Sequence, residues 1–248
     1  MKFRHRFHVC LGIENLDMRL YIIRHASPHY AKDTIDGNGH IEAAALSNYL
    51  SGLNIDEIYS SPLGRAVDTA QYTAVRLGLP INQEAWMQEL VRLWIPEIDK
   101  TLWDLNGSFF RSAEFLSRMN AWQSISPLDH PQLAETMEML RRQSDEFLAR
   151  QGLVRIGGVY QVAKKNQKQI AVFCHLGFGL TWLSHLLEIP LPLVWAGFYL
   201  YPASVTTILF EERPAGIAVP RCLGLGDISH LVAQGIQPQP YGLLSNQQ

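Results

Sequence analysis

Two short, wholly apolar runs, each closed by a histidine, constrain the fold of this chain more than any other feature. Leu20-Tyr21-Ile22-Ile23 leads into Arg24-His25, and Ile170-Ala171-Val172-Phe173-Cys174 leads into His175. Runs of four or five residues are too short for buried helices. They also lack the polar alternation of a half-exposed strand, so they suit strands covered on both faces, as in a parallel sheet. In open α/β sheets, chemistry gathers beyond the carboxyl ends of the strands. Two strands therefore deliver two imidazoles to one edge, with a fixed cation before the first. Imidazole suits proton or phosphoryl transfer near neutral pH, and guanidinium suits an anionic partner. The combination points to an enzyme that handles an anionic group.

The rest of the chain fits alternating strands and helices. Strands are expected at 19–23, around Ile55-Ile58-Tyr59, at Ile81 and ending before Glu89, at 169–174, and near 197–201 and 204–210. Helices are expected at about 39–52, from Pro62 to Leu77 with Gly78 as the stop, at about 132–150 and at 177–188. Residues 96–131 show no clear period and carry Trp103, Phe109, Phe110, Phe115 and Trp122. The expected fold class is α/β: a three-layer α/β/α arrangement with a mostly parallel central sheet and a lid insertion at about 90–131. Residues 18–232 form the single domain of this reading. Residues 1–17 are a dispensable extension ahead of Met18, and 233–248 are a C-terminal tail.

Composition excludes several function classes. With 248 residues and 47% hydrophobic content, one α/β domain can bury a substantial core. The net charge is −2, and no basic stripe is present to bind nucleic acid. No apolar run approaches the roughly 18 residues needed to span a membrane. Lys2, Arg4 and Arg6 resemble the start of a signal peptide, but the apolar stretch after them, Val9-Cys10-Leu11, is too short, and Glu14 and Asp17 interrupt it. Cys10, Cys174 and Cys222 form no paired spacing, which fits a reducing, cytoplasmic setting.

Four local motifs in order resemble the histidine phosphatase superfamily, which includes the phosphoglycerate mutases and many small phosphatases. They are Arg24-His25-Ala26-Ser27, then Ser60-Ser61-Pro62-Leu63-Gly64-Arg65-Ala66 with Thr69-Ala70, then Glu89, then His175. A weaker terminal match is Gly226-Asp227-Ile228-Ser229-His230-Leu231. The resemblance implies that His25 is the nucleophile that takes a phosphoryl group. It implies that Arg24, Arg65 and His175 hold the phosphate oxygens, and that Glu89 protonates the leaving oxygen. Rigid cations around a phosphoryl group in flight stabilise its spreading charge. Protein cations take the place of a metal, so no metal or cofactor is implied. The implied substrate is a small phosphorylated metabolite.

Bland alternatives stand beside these roles. Arg65 alone reads as a solvated helix charge, His175 as a core histidine, and Glu89 as one of three loop acids with Glu84 and Glu97. His29, His40, His130, His185 and His230 read as structural or surface residues, with His29 near enough in sequence to line the pocket. The tryptophans at 86, 94, 103 and 122 read as packing. Leu176 stands where the family has Gly, and Ala26 where it often has Gly. After Glu89 the mutase pattern is absent, and only Arg92 and Lys100 add positive charge nearby. A phosphomonoesterase is therefore favoured over a mutase-type isomerase or a non-catalytic phosphate-binding module. A cysteine phosphatase is dismissed because Cys174 starts no Cys-x5-Arg loop. A metallohydrolase on His25, His175 and Glu89 is disfavoured because Arg24 and Arg65 would repel the cation. The aromatic, lightly charged 90–131 segment favours a phosphoester with an apolar or planar body.

Overall fold

The computed structural model of the protein describes residues 17–213 and 216–243. The extension read at 1–17 lies outside these residues apart from Asp17. An eight-stranded sheet runs through the molecule. Its strands are β1 (Arg19–Arg24), β2 (Glu57–Ser60), β3 (Ile81–Gln83), β4 (Leu153–Ile156), β5 (Val159–Val162), β6 (Gln169–Cys174), β7 (Val205–Arg213) and β8 (Ile217–Asp227). Their order is β3-β2-β6-β1-β7-β8-β5-β4. The half from β3 to β1 is parallel, and every pairing from β1 through β7 to β4 is antiparallel. The main helices are α1 (Gly37–Leu50), α2 (Gly64–Leu77), α3 (Pro131–Arg150), α4 (Leu176–Leu187) and α5 (Leu191–Gly197).

Strand periodicity divides the core in two. Leu20, Ile22, Ile170 and Val172 pack on one face with Leu140 and Phe147 of α3 and Trp182 of α4. Tyr21, Ile23, Ala171 and Phe173 pack on the other with Leu46 of α1 and Ala70 and Ala74 of α2. Successive side chains of a strand point to opposite faces, so a strand apolar at every position must be covered twice. Each fully buried Leu, Ile or Phe contributes about 1.5–3 kcal/mol before entropic costs. Helix α2 buries Ala66, Thr69, Ala70, Thr73 and Ala74 at helical spacing and ends at Gly78, which takes a left-handed φ of 68°. Helix α4 is buried on every side, as its sequence Leu-Gly-Phe-Gly-Leu-Thr-Trp-Leu requires.

Some elements depart from the sequence reading. Residues 198–201 are not a strand; they follow α5 as an irregular segment. Its Leu200 carbonyl accepts from Arg24 Nη1 at the end of β1 instead of from a ladder partner. Neither the antiparallel hairpin β4–β5 nor the strand β8 is among the expected strands. The hairpin turns at Gly157-Gly158, a readable turn signal, but its strands are only four residues long. Strand β8 hides behind Pro220, Gly224 and Gly226. Residues 91–130 form short turns, a small antiparallel ladder of Trp94–Ile95 with Lys100–Thr101, and two small helices, Gly107–Phe110 and Ala113–Ser117. Phe109, Phe110 and Phe115 pack edge to face at 5.2–5.6 Å and fix this segment to Trp195 of α5.

Candidate active site

The site begins with the register of two strands. Strand β1 pairs with β6 so that Arg24 lies beside Cys174, and the His25 amide donates to the Cys174 carbonyl at 2.9 Å. His25 and His175 therefore leave the sheet side by side, with ring centroids 5.2 Å apart. Strand β2 ends beside β6, where the Ser61 amide donates to the Phe173 carbonyl. That contact brings Ser61 and the start of α2 to the same edge. Ala26 N donates to Thr69 Oγ1, which donates to the Arg65 carbonyl, so α2 is tied to the loop after His25. Gly39 of α1 packs so closely on this loop that a Cβ there would stand 2.3 Å from the Ser27 carbonyl oxygen. Only glycine permits that approach.

His25 is 2% exposed. Its Nδ1 lies 2.8 Å from the Ala26 carbonyl, which can only accept, so the ring proton sits on Nδ1 and Nε2 keeps its lone pair. Burial, followed by the Arg24 cation, holds this imidazole well below its usual 6.5; Arg65 adds to the effect, and the Ala26 hydrogen bond opposes it. The result is a neutral, unprotonated nitrogen near pH 7. His175 is fully buried. Burial, then His25, Arg65 and Arg24, depress it in the same way. Ser61 Oγ accepts from Leu63 N–H and lies 2.8 Å from His175 Nε2. With the His175 proton on Nδ1, the serine hydroxyl donates to Nε2 and the Nδ1–H is left free to donate.

Both arginines are held in place with donors to spare. Arg24 is 2% exposed and gives Nη1 to the Leu200 carbonyl at 2.6 Å and to Tyr199 Oη at 3.3 Å. Arg65 gives Nη1 to Asp33 Oδ1 at 2.6 Å, and Asp33 Oδ2 takes the Gly64 amide at 2.7 Å. Its guanidinium also lies over the Tyr30 ring, whose edge faces His25. Arg24 Nε, Arg65 Nε and His175 Nδ1 are all buried without a protein partner among the described residues. Buried donors ordinarily find partners, so three unmatched ones around a neutral imidazole define a cradle for an anion.

Glu89 reaches the same edge from another direction. Its carboxylate accepts from the Gly177 and Phe178 amides at 3.1 and 2.9 Å and from Leu90 N at 3.0 Å. It thus caps the first turn of α4, two residues beyond His175. The other two acids stand elsewhere: Glu84 is engaged by Arg150 and by Trp86 Nε1, and Glu97 is exposed. Trp103 stacks beside Glu89, and a Cβ on Gly177 would stand 2.8–2.9 Å from both. Trp86 and Trp122 are buried packing residues, and Trp94 is 47% exposed. Arg92 and Lys100 are exposed, as are His29 and His40.

Several contributors carry no signal of their own in the sequence. Asp33 takes a left-handed backbone, φ 48°, to orient Arg65. Glu42 is buried and binds both the amide and the hydroxyl of Ser27. The segment read as a tail also returns to the site. Tyr199 Oη donates to the Tyr241 carbonyl at 2.5 Å, and Tyr241 Oη donates to Asp36 at 3.2 Å. Gly242 then lies 3.8 Å from Arg24 Nη2, measured from where its Cβ would be. Cys174 is buried, and its thiol is pushed up by burial and by the Glu89 charge, which leaves it unreactive.

Solved structures with this fold include a phosphoserine phosphatase from Entamoeba histolytica in complex with 3-phosphoglyceric acid. It is 20% identical, with a TM-score of 0.59 over 86% of this chain and 99% of that one. A mycobacterial glucosyl-3-phosphoglycerate phosphatase with inorganic phosphate is 18% identical, with a TM-score of 0.60 over 86% and 99%. The α-ribazole phosphatase of Shigella flexneri is 19% identical, with a TM-score of 0.54 over 85% and 96%. No curated protein sequence matches the chain. The family model of the histidine phosphatase superfamily (branch 1) matches residues 20–219, which contain the four main motifs but not the weaker terminal match at 226–231. With His25, His175 and both arginines inside that span, the chain belongs to the histidine phosphatase superfamily.

Proposed function

We propose that the protein is a phosphomonoesterase that works through a phosphohistidine on His25. The observation that carries this reading is the set of unmatched buried donors, on Arg24, Arg65 and His175, around a neutral His25. Nε2 of His25 attacks phosphorus as the bond to the alcohol oxygen breaks. Arg24, Arg65 and His175 Nδ1 bind the three spreading oxygens, where fixed donors stabilise the transition state more than the ground state. Glu89 gives a proton to the leaving oxygen. Water then attacks phosphorus and gives a proton to the Glu89 carboxylate as the nitrogen–phosphorus bond breaks, so inorganic phosphate leaves and the acid is restored. The phosphatases among the structural neighbours support hydrolysis over isomerisation. The scarcity of cations after Glu89 in the sequence, where only Arg92 and Lys100 stand nearby, supports it too.

Rapid-quench experiments with radiolabelled p-nitrophenyl phosphate test the proposal. Acid-labile, base-stable phosphate should accumulate on the peptide that contains His25. Inorganic phosphate should be released without any bisphosphate primer. Turnover with no trapped phosphate, or with label that survives acid, would remove His25 as the nucleophile.

Glu89→Gln separates leaving-group chemistry from phosphate binding. Glutamine keeps the shape but cannot supply the proton, so hydrolysis of an alkyl phosphate should fall by about 10²–10⁴-fold. Hydrolysis of p-nitrophenyl phosphate should fall little, because that leaving group departs readily as an anion. The variant should also lose about 1–2 kcal/mol of stability, since an amide offers the α4 amides one acceptor oxygen in place of two. Equal losses on both substrates would assign Glu89 to capping alone.

A further inference from the structure

A cavity of about 460 Å³ opens beside the phosphate cradle, and its lining differs in character from the cradle itself. Trp103, Leu176, Trp195, Phe198 and Tyr199 line it, together with Gly242 of the returning C-terminal segment. Two contacts fix its position relative to the chemistry. Tyr199 accepts from Arg24 Nη1, and Gly242 stands over Arg24 Nη2 and Leu176. Trp103 stacks on Gly177 beside the Glu89 carboxylate. None of the catalytic residues lines the cavity, but its walls touch the phosphate-binding arginine through Tyr199 and Gly242 and adjoin the Glu89 carboxylate through Trp103, so it lies within reach of the far end of the alcohol part of an ester. Leu176 matters here: as the first residue of α4 it points its bulk into this space rather than leaving it open.

The charge of the lining narrows the choice of alcohol. Among the described lining residues, Asp104 is the one charged side chain, and it is acidic. Arg111 stands near the rim but is exposed and gives Nη2 to the Ala196 carbonyl at 3.2 Å. Lys100 lies near enough to Asp104 to act on its charge, but neither it nor Arg111 lines the cavity, so a carboxylate or second phosphate inside it would meet aromatic faces and an acid, with Arg24 already committed to the transferring group. Burying such an anion without a counter-charge is costly, whereas an apolar or aromatic body loses nothing and gains contact.

We infer that this cavity is the leaving-group pocket, and that the substrates are phosphomonoesters of apolar or aromatic alcohols that carry no second anionic group. The inference rests on the phosphomonoesterase reading above and narrows it to a substrate class.

A panel of primary alkyl phosphates tests it without bias from leaving-group reactivity: 2-phenylethyl phosphate, glycerol 3-phosphate and 3-phosphoglycerate. The value of kcat/KM for 2-phenylethyl phosphate should exceed that for 3-phosphoglycerate by about 10–100-fold, with glycerol 3-phosphate between them. Trp103→Ala and Phe198→Ala should each shrink the ratio of the first to the second by about tenfold, through KM more than kcat. Asp104→Lys should move the ratio toward 3-phosphoglycerate. Should a variant fail to fold, the ratio in the unmodified protein still decides. A preference for 3-phosphoglycerate, or a ratio unmoved by all three folded variants, overturns the pocket assignment while phosphohistidine formation stands. Absence of phosphohistidine with every ester overturns the reading beneath it as well.

Discussion

Replacing His25 by alanine is expected to lower turnover by on the order of 10⁶-fold, the scale seen when a covalent nucleophile is removed. No neighbouring group can substitute. His175 Nε2 is engaged by Ser61, and its ring is fixed by packing; the Cys174 thiol is buried and held protonated. The variant should still bind inorganic phosphate or vanadate, because Arg24, Arg65 and His175 are untouched. Its stability should respond to pH in a specific direction. The folded protein holds His25 below the 6.5 of an unfolded chain, so folding releases a proton when the solution falls below that value. Stability is then lost as pH drops from about 6.5 toward the depressed folded value, because the unfolded state binds more protons. Alanine removes that penalty. The melting temperature of His25→Ala should therefore gain on the unmodified protein as pH is lowered below about 6.5. A variant with near-normal turnover would overturn the nucleophile assignment, and a stability gap that is flat with pH would overturn the buried neutral state.

Arg65→Ala should cost about 10³–10⁵-fold in kcat/KM, comparable with the loss of an arginine finger. The structure makes this variant worse than a simple deletion. Asp33 holds Arg65 through Oδ1, and once the guanidinium is gone its negative charge keeps only the Gly64 amide as partner beside the site. Asp33→Ala combined with Arg65→Ala should therefore recover part of the loss, whereas Asp33→Ala alone should cost activity by loosening Arg65. Arg65→Lys should restore charge but not the planar two-oxygen fork, and recover little. Inhibition by vanadate should weaken in parallel. Unchanged vanadate affinity would return Arg65 to the role of a surface ion pair with Asp33.

Much of this arrangement is legible in the sequence because parallel strands announce themselves. Leu20–Ile23 and Ile170–Cys174 are apolar at every position, and the residue after each strand end falls at the sheet edge regardless of details elsewhere. Arg65 follows from the helix opened by Ser61-Pro62. The antiparallel half is harder. Strands β4, β5 and β8 are short or interrupted by Pro220 and glycines, and their pairing is decided by neighbours distant in the chain. The same reason hides Asp33 and Glu42. A surface-looking acid in a turn and a helical glutamate become site residues only when tertiary packing brings them to Arg65 and Ser27. The span 198–201 reads as a strand because it is aromatic and apolar, yet its Leu200 carbonyl is taken by Arg24. The C-terminal segment gives no hint of Gly242 beside Arg24.

The pairing of β1 with β6 also sets when the protein becomes competent during folding. The two strands lie far apart in the chain; Tyr21 donates to Gln169, 148 residues away, at 2.8 Å. Parallel pairings of this span form slowly, because chain entropy is lost before the contact returns anything. Until that ladder closes in register, His25 and His175 belong to separate parts of the molecule. A slip by one residue would turn every side chain of β1 to the wrong face. Phosphate affinity should thus emerge late and all at once in refolding, with no partly functional intermediate. During synthesis, a nascent chain cannot acquire the site until β6 has left the ribosome.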